Sequence, residues 1–291
     1  MLTVLKPTIS VGYYYPRVQN YDEIMNSELP RVRDWETGII NDVEIVPIGR
    51  NTTMANYVIL DTETAPTVDH KDNKAHPETS LVYDFGYTIR DCNGCELVGR
   101  SFIIAETFTN VRMMNSAYYA EKLPQYHAGM GGTDDSEWRV VSFMEAWQTF
   151  KADCKLYDVK TAWAYNAKFD LTALNNTIRT YSNGYVRFFL PYKMQLRDIW
   201  DYASNVTATR KYVSWCVEHG YFTASGNPMT GAEVVYRYLT QDVEFIERHT
   251  AYSDACIEWA ILSAAKRKHS KTRHSMGQGW RDAAKVYREM E

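Results

Sequence analysis

The apolar run at 57–60 is unbroken by any polar residue, as is typical of a strand buried on both faces. It leads into Asp61 and Glu63, and Pro66 then stops further strand pairing. Because side chains two residues apart in a strand point to the same side, we expect both carboxylates to project together from the end of this strand. Like charges at that separation repel each other unless a cation lies between them. The strand end is therefore a candidate site for a divalent metal ion.

Two further strands are predicted after a polar loop at 67–79. They cover 81–90 and 96–105, and the residues that join them include Asn93-Gly94. Asn-Gly between two strand-like runs is a strong hairpin signal. Together with the first strand, this pattern predicts an antiparallel sheet of three strands.

Helical spacing of apolar residues begins after the hairpin. Helices are predicted at 115–127, where Pro124 is a break, and at 136–156. In the second helix the apolar positions that recur at helical spacing predict a core face, formed by Val140, Phe143, Trp147 and Phe150. A buried strand is predicted at 159–165. Because a long helix precedes it, we expect it to run parallel to the first strand through a right-handed crossover.

Both ends of the chain differ from the region between them. Residues 1–52 contain strand-like pieces and no helical period, so they are predicted to form an extension packed on a main domain at 53–265. Residues 266–291 carry a sustained run of basic side chains and are predicted to be a helical tail. That tail either follows a phosphate backbone or is a solvated terminal helix.

Composition narrows the class of protein. With 291 residues, of which 45% are hydrophobic, the chain can hold one large domain or two small ones. It shows no apolar run of membrane-spanning length and no signal peptide, so no membrane partner is expected. Five scattered cysteines, an odd number, fit a reducing cytoplasm. The net charge of −4 leaves nucleic acid open as a partner, because metal ions neutralise a carboxylate-rich centre.

Two groups of side chains have alternative interpretations. The 22 tyrosines and 8 tryptophans are either stacking platforms for bases or core residues, and core packing is favoured for most of them. Cys92-x-x-Cys95 is either half of a zinc site, with His70 and His76 as remote partners, or two free thiols at a turn. Free thiols are favoured, because a second Cys-x-x-Cys is absent from the sequence.

A second candidate acid follows the predicted strand at 159–165. Leu171, Leu174 and Ile178 recur at helical spacing there, which places Asp170 in the first turn of a helix that follows Asn166. An aspartate at that place is often only a partner of the helix dipole.

A third candidate group lies near the start of a helix late in the chain. His249 is predicted just outside this helix and Asp254 in its first turns, so that both can face one point. Asp-x-Glu by itself is a weak signal, because the spacing of Asp61 and Glu63 recurs at Asp42-x-Glu44 and at Asp242-x-Glu244.

The three groups occur in a familiar order: Asp61-x-Glu63, Asn166-x-x-Phe169-Asp170 and His249-x-Ala251-x-x-Asp254. In this order they resemble the three motifs of the DEDDh (DnaQ-like) 3′–5′ exonucleases, over roughly residues 55–265. The histidine subtype is indicated, because Thr250 stands where the sister subtype has tyrosine. One departure is Tyr165, where many members carry histidine.

The resemblance implies an α/β fold, a ribonuclease-H-like mixed β-sheet with helices on both faces. It implies Asp61, Glu63, Asp170 and Asp254 as metal ligands and His249 as the general base. Near the terminal nucleotide it implies further substrate contacts from Thr64, Asn166 and Phe169. For Phe169 and Tyr252, packing is favoured over stacking on bases. Asp198 is either another acid near the site or a structural residue at a strand end, and the resemblance favours the strand end.

These residue types suit phosphodiester hydrolysis. Two divalent ions about 3.5–4 Å apart generate the nucleophile and stabilise the leaving oxyanion. Carboxylate ligands favour Mg²⁺ or Mn²⁺ over zinc. An imidazole with an unperturbed pKa near 6.5 suits a general base.

The expected activity is removal of nucleotides from the 3′ end of DNA or RNA, single-stranded or otherwise 3′-ended, with release of nucleoside 5′-monophosphates. Two alternatives stay open: a non-catalytic module that binds nucleic-acid ends or a polymerase, and an endonuclease on the same fold. A stand-alone repair, RNA-trimming or virus-encoded enzyme of the cytoplasm fits this organisation, and the sequence leaves the oligomeric state open.

Overall fold

The computed structural model describes residues 56–68, 76–117, 119–130, 138–267 and 279–290. The predicted extension at 1–52, with its Asp42-x-Glu44 pair, lies outside these residues. So do His70 and residues 268–278 of the predicted tail.

The strands of the described residues form one six-stranded sheet. They are β1 (Tyr57–Pro66), β2 (Ser80–Arg90), β3 (Glu96–Ile104), β4 (Arg139–Val141), β5 (Thr161–Ala164) and β6 (Gln195–Asp198). The helices of the same residues are α1 (Ala105–Phe108), α2 (Val111–Asn115), α3 (Leu123–Met130), α4 (Phe143–Leu156), α5 (Ala167–Tyr181), α6 (Ile199–Thr207), α7 (Arg210–His219), α8 (Ala232–Thr240), α9 (Ala251–Arg267) and α10 (Gly279–Arg288).

The strand order is β4-β3-β2-β1-β5-β6. The first three strands form the predicted antiparallel sheet, β5 runs parallel to β1 as predicted, and β6 is parallel to β5. An antiparallel meander extended by parallel strands beside its first strand is the arrangement of a ribonuclease-H-like mixed sheet. The predicted α/β fold class is confirmed.

Alternate residues of β2 show that helices cover both faces of this sheet. Phe85 and Tyr87 pack on Phe150 of α4, with ring centroids 5.7 and 5.2 Å apart. Gly86, between them, faces the other way, and a Cβ there would lie 2.1 Å from the backbone nitrogen of Tyr252 in α9. Since successive side chains of a strand point to opposite faces, α4 and α9 lie on opposite sides of the sheet.

The predicted helix at 136–156 begins later than expected. Residues 139–141 form β4, which pairs in parallel with β3. Val140 is 51% exposed, so its place in the predicted core face was wrong, whereas Phe143 and Phe150 are fully buried. The helix starts at a cap, because the Ser142 side chain accepts a hydrogen bond from the backbone N–H of Glu145 at 3.2 Å.

The predicted helix at 115–127 is divided into shorter pieces. Helix α2 ends at Asn115, a single 3₁₀ turn follows at Ala120–Lys122, and α3 then begins at Leu123. Pro124 does not break a helix here but lies in the first turn of α3. Proline is tolerated in a first turn because an N–H in that position has no partner within the helix.

Some residues in the described part of the predicted tail are buried. Helix α9 continues through Lys266, whose ammonium lies 4.3 Å from the centre of the Tyr57 ring, and burial lowers the pKa of Lys266 to about 8. In α10, Ala283 and Ala284 are fully buried. No helix of the described residues combines the length and the apolar character that crossing a membrane requires.

Candidate active site

The first two acids lie at the end of the central strand. β1 is hydrogen-bonded to β2 on one side and to β5 on the other, and residues 57–60 are almost completely buried. Glu63 is 7% exposed and stands opposite Asp84 of β2, whereas Asp61 is partly exposed. Pairing on both edges holds this strand in place, so the backbone fixes where the two carboxylates begin.

Asp170 reaches the end of β1 from the first turn of α5, as predicted. Asn166 turns the chain between β5 and α5 with a left-handed φ of 61°, a conformation that asparagine tolerates. Its backbone N–H donates to Asp198 Oδ1 at 3.1 Å, which holds the turn. The Thr62 hydroxyl donates to Asp170 Oδ1 at 2.8 Å. Asp170 is therefore oriented by the strand that carries the first two acids.

A close backbone contact places the start of α9 on the sheet. Any side chain larger than hydrogen at Gly86 would clash with the backbone of Tyr252. Asp84 Oδ2 accepts the backbone N–H of Ala251 at 3.0 Å, which satisfies one of the free donors at the start of this helix. The first turn of α9 thus sits directly on β2, and it carries Asp254.

Residues of the first and third sequence motifs converge at one point. Ligand atoms of Glu63, His249 and Asp254 all lie within 4.8 Å of one another. Asp61 and Asp170 are not part of this group, but the charge of Asp61 raises the pKa of Asp254, and the charge of Asp170 raises the pKa of Asp61 in addition to the effect of burial. The structure therefore brings three of the five predicted catalytic residues together within ligand distance, with Asp61 and Asp170 close enough to act on them through their charges.

Burial and mutual repulsion hold these acids toward their neutral forms. Burial raises the pKa of Asp61 well above its ordinary value, and the charges of Asp170 and Glu63 raise it further. Burial does the same to the pKa of Glu63 and of Asp254. Burial raises the pKa of Asp170 to about 7, although the hydrogen bond from Thr62 opposes the rise. The fold therefore places these carboxyl groups where ionisation is unfavourable unless a positive charge lies beside them.

Two acids that the sequence analysis missed belong to the same region. Glu258 is 3% exposed, and burial together with the charges of Asp61 and Asp170 raises its pKa well above the ordinary value. It lies one helical turn after Asp254, so i, i+4 spacing was the available signal. Burial raises the pKa of Glu247 to about 7. Glu247 lies in an irregular segment, where no periodicity points to it.

His249 is held by residues from distant parts of the chain. Its ring stacks on Tyr119, with centroids 3.8 Å apart and planes 12° apart. The Tyr126 hydroxyl lies 3.1 Å from its backbone oxygen, and Gln125 Nε2 donates to the backbone oxygen of Arg248 at 3.0 Å. His249 itself has a left-handed φ of 54°. Residues 119–126 therefore position the imidazole, although nothing in the local sequence pairs them with it.

The surroundings of His249 favour its neutral form. Burial lowers its pKa below the ordinary value, and the positive charge of Lys122 lowers it further, while Glu233 and Glu121 act in the opposite direction. Nδ1 faces Glu247 Oε2 at 3.9 Å. A neutral imidazole with its proton on Nδ1, toward this carboxylate, keeps the Nε2 lone pair available to accept a proton.

The donor atoms of the site fit hard divalent cations. Within the described residues, Asp254 Oδ1 and Glu258 Oε2 are buried and have no hydrogen-bond partner. A buried carboxylate oxygen without a donor is costly, and a bound cation is one way to satisfy it. The surrounding ligand atoms are mostly carboxylate oxygens, which Mg²⁺ and Mn²⁺ prefer.

The structure also describes Thr64 and Phe169, the predicted substrate contacts, and the further acid Asp198. Thr64 follows Glu63 where the pairing of β1 with β2 shifts register, and Phe169 is half-buried in the first turn of α5. Asp198 accepts the backbone N–H of Trp200 at 2.8 Å and caps α6, a structural role for the further predicted acid.

Cys92 and Cys95 are free thiols at the hairpin turn, which Asp91 organises by accepting two backbone N–H groups. His70 and His76 are the histidines considered as remote partners of a zinc site. His70 lies outside the described residues, and His76 Nδ1 lies 3.0 Å from Glu78 Oε1. In the described part of the chain, neither cysteine belongs to a group of side chains placed to hold a metal ion.

No family model and no curated protein matches the sequence. Solved structures of E. coli exonuclease I with a dA16 and with a dT13 oligonucleotide are similar at 15% and 16% identity and TM-scores of 0.44 and 0.45. The matches cover 74% of this chain and 41% and 42% of those chains. An exonuclease I from Methylocaldum szegediense has 16% identity and a TM-score of 0.43, and the match covers 74% of this chain and 41% of that one. This chain thus spans about two fifths of their length, and at these identities the likeness is one of fold alone.

Proposed function

We propose that this chain is a metal-dependent 3′–5′ exonuclease of the DEDDh type, with residues 53–265 as its catalytic domain. It removes nucleotides from the 3′ end of DNA or RNA and releases nucleoside 5′-monophosphates. The convergence of Glu63, His249 and Asp254 within 4.8 Å supports this proposal most directly. These side chains come from two elements far apart in the sequence, and the same place collects further buried carboxylates that have no other evident use.

Asp61, Glu63, Asp170 and Asp254 would hold two divalent ions, Mg²⁺ or Mn²⁺. When bound, such ions lower the pKa of a water molecule and offset the charge that develops on the phosphate and the leaving oxygen. Contacts within the chain orient the side chains that would bind these ions. Thr62 fixes one oxygen of Asp170, and the contact of α9 with β2 fixes the first turn that carries Asp254.

His249 is the proposed general base. In the hydrolysis a water oxygen bonds to phosphorus while Nε2 of His249 takes one proton of the water. The bond from phosphorus to O3′ of the preceding nucleotide breaks, and O3′ takes a proton from solvent to become the new 3′ hydroxyl. The lowered pKa of His249, caused by burial and by Lys122, keeps this nitrogen free at neutral pH. The stack on Tyr119 limits rotation of the ring and so keeps the imidazole beside Glu63 and Asp254.

The terminal nucleotide is proposed to lie against the residues next to the acids. Thr64 and Phe169 each adjoin a proposed metal ligand in the sequence, and Asn166 forms the turn before α5. These positions border the cluster along two elements, β1 and α5. They are the proposed substrate contacts.

Matched oligonucleotides test the proposal. DNA and RNA strands, single and double, are offered with a free 3′ hydroxyl or a blocked 3′ end, in Mg²⁺ or in EDTA. Mononucleotides should appear from free 3′ ends in Mg²⁺ and be absent in EDTA. Asp61→Asn should abolish their release.

Two outcomes would replace the proposal by another function. Cutting of a circular single strand would show an endonuclease on the same fold. Tight binding of 3′ ends with no mononucleotide released in Mg²⁺ or Mn²⁺ would show a non-catalytic module. The choice between DNA and RNA follows from which strand is degraded faster.

A further inference from the structure

A stretch that leads away from the acidic site and back to it has the opposite charge. Residues 171–197 contain no Asp or Glu, and they carry four cations, in a chain whose net charge is −4. These cations are Arg179, Arg187, Lys193 and Arg197. Within this stretch, residues 185–193 form the segment between α5 and β6 that we call the aromatic–basic loop. A local excess of positive charge on an acidic protein marks a surface for an anionic partner.

The aromatic–basic loop holds apolar rings in water. Tyr185, Phe188 and Tyr192 are 92%, 67% and 91% exposed. Single exposed apolar residues are normal on a protein surface, but three exposed aromatic rings within eight residues are a local concentration of apolar side chains. Exposed planar rings are the groups on which unpaired bases stack.

The loop is anchored, so it presents these rings from fixed positions. Phe189 is fully buried and packs on Phe150 with ring centroids 5.1 Å apart. Its backbone N–H donates to Asn175 Oδ1 at 2.8 Å, and its backbone oxygen accepts from Trp147 Nε1 at 2.8 Å. Val186 is held in turn by the hydroxyl of Ser182 at 3.0 Å. A surface that is already ordered loses little conformational entropy when it binds a ligand.

Cations lie among the rings. Arg187 and Lys193 are exposed, and Lys193 Nζ is 5.4 Å from the centre of the Tyr192 ring. The backbone of Gln195 bonds that of Lys160, and Lys160 pairs with the exposed Asp158, so the acid near this end already has a cation. Exposed rings and cations in one loop suit a nucleic-acid strand, which offers both bases and phosphates.

The loop lies at the end of the sheet opposite to the acids. Helix α5 has 15 residues, with Asp170 in its first turn and the loop after its last. At 1.5 Å per residue the helix is about 22 Å long. β6 then leads back from the loop to Asp198, which contacts the turn before α5. A ligand that touches both places must be an extended chain.

We propose that the aromatic–basic loop is a second binding site for single-stranded nucleic acid, which stacks bases on Tyr185, Phe188 and Tyr192 and holds phosphates with Arg187 and Lys193. This proposal rests on the proposed function, because the loop would hold the body of the strand whose 3′ end enters the acidic site. A single strand is favoured over a duplex, since only unpaired bases offer their faces. A second copy of this chain is disfavoured, because a symmetric contact would place the loop's cations against each other.

Binding in EDTA tests the site without any hydrolysis. A fluorescent oligo(dT) or oligo(U) of about 30 nucleotides is titrated and its anisotropy measured. The double variant Tyr185→Ala/Tyr192→Ala should bind at least about tenfold more weakly, since each stacked base contributes strongly to affinity. Tyr185→Phe/Tyr192→Phe should keep wild-type affinity, because phenylalanine preserves the ring. Val111→Ala, which truncates an apolar side chain on α2 that is 70% exposed, should change nothing.

Kinetics with short and long strands separate this site from the catalytic one. A strand of about three nucleotides cannot reach the loop, so the double alanine variant should hydrolyse it at the wild-type kcat/KM. With about 30 nucleotides its KM should rise about tenfold while kcat is unchanged. Wild-type protein that binds through the loop but hydrolyses nothing would remove the proposed function and leave this site in place.

Equal affinity of the alanine variant and the wild type for both strands would overturn the second site. The second site would also be overturned if the double alanine variant differed from the wild type in sedimentation but not in oligonucleotide affinity. That result would show that the rings join copies of the chain. Preference for oligo(dT) or for oligo(U) would identify which nucleic acid the loop holds.

Discussion

The two ends of the central sheet are each energetically unfavourable, but for opposite reasons: charged groups are buried at one end, and apolar rings are exposed at the other. At one end, Asp61, Glu63 and Asp254 crowd together, and burial raises the pKa of each. At the other end, Tyr185 and Tyr192 keep about nine tenths of their area in water. The first arrangement loses free energy to desolvation and to repulsion between like charges, which bound cations relieve. The second leaves apolar rings hydrated, which stacked bases relieve.

For each end, the proposed ligand is therefore one that would relieve its unfavourable surface. A protein gains stability from any ligand that binds only its folded state. The acidic end should respond to divalent ions and to pH, and the aromatic–basic loop to strand length. Divalent ions should not act on the loop, and loss of the loop's rings should not change how the acidic end responds to pH. The following changes test this independence.

The largest effect is expected from Asp254→Asn. It should lower kcat by at least about 10³-fold, about 4 kcal/mol of transition-state stabilisation, because a metal ligand is lost. The same change removes one of several crowded charges, so in EDTA near pH 8 the midpoint of thermal unfolding should rise. Initial rates and calorimetry measure the two effects, which have opposite signs.

Asp242→Asn is the matched control for this change. Asp242 belongs to an Asp-x-Glu pair with the spacing of Asp61 and Glu63, but it is exposed and lies outside the acidic cluster. Its substitution should alter neither rate nor unfolding midpoint. Normal turnover by the Asp254 variant would reject the proposed site.

His249→Gln should lower kcat by about 10²-fold or more while leaving oligonucleotide affinity unchanged, because a general base acts in the chemical step. The wild-type rate should fall as pH drops through the lowered pKa of His249, since a protonated imidazole accepts no proton. The variant should lack this acid limb. A pH profile of kcat/KM measures the difference, and an acid limb that persists in the variant would assign the base to another group.

Lowering the pH should stabilise the protein in EDTA. Burial raises the pKa of Asp170 and of Glu247 to about 7 in the folded state, above the unfolded values of about 3.9 and 4.3. Between these values the folded state binds more protons, so stability rises as pH falls from about 8 toward about 6. Mg²⁺ should raise the unfolding midpoint more at the higher pH. Scans across pH, with and without Mg²⁺, measure this. A flat profile would mean that the acids are not crowded.

The loop provides the control for that pH dependence. Tyr185→Ala/Tyr192→Ala should leave the slope of stability against pH unchanged, because neither side chain lies near the acids. A changed slope would mean that the two ends of the sheet are not independent.

Local patterns predicted the parts of the molecule that local forces determine. The apolar run before Asp61 gave β1, and Asn93-Gly94 gave the hairpin of β2 and β3. Helical spacing after Asp170 placed it in the first turn of α5, as the structure has it. Each of these signals lies within a few residues of the feature it predicts, so propensity and periodicity carry it.

Features made by contacts between distant segments escaped the same reasoning. β4 has three residues and is defined by its pairing with β3, so no period could reveal it. Glu247 and Tyr119 join the site only because residues 119–126 pack on the segment before α9. Nothing in the residues around either position encodes that contact. A shorter-range signal, Ser142 with Glu145 as a helix cap, was available and would have corrected the start of α4.

The smallest effect expected is a pair of opposite shifts from two neighbouring residues. The charge of Lys122 lowers the pKa of His249 and that of Glu121 raises it. Lys122→Gln should therefore move the acid limb of the kcat/KM profile to higher pH, and Glu121→Gln should move it to lower pH. Because both side chains are near the surface, each shift should be small, and smaller still at high salt. Shifts of the same sign would show that His249 is not the titrating base, since one imidazole must respond oppositely to the loss of a cation and of an anion.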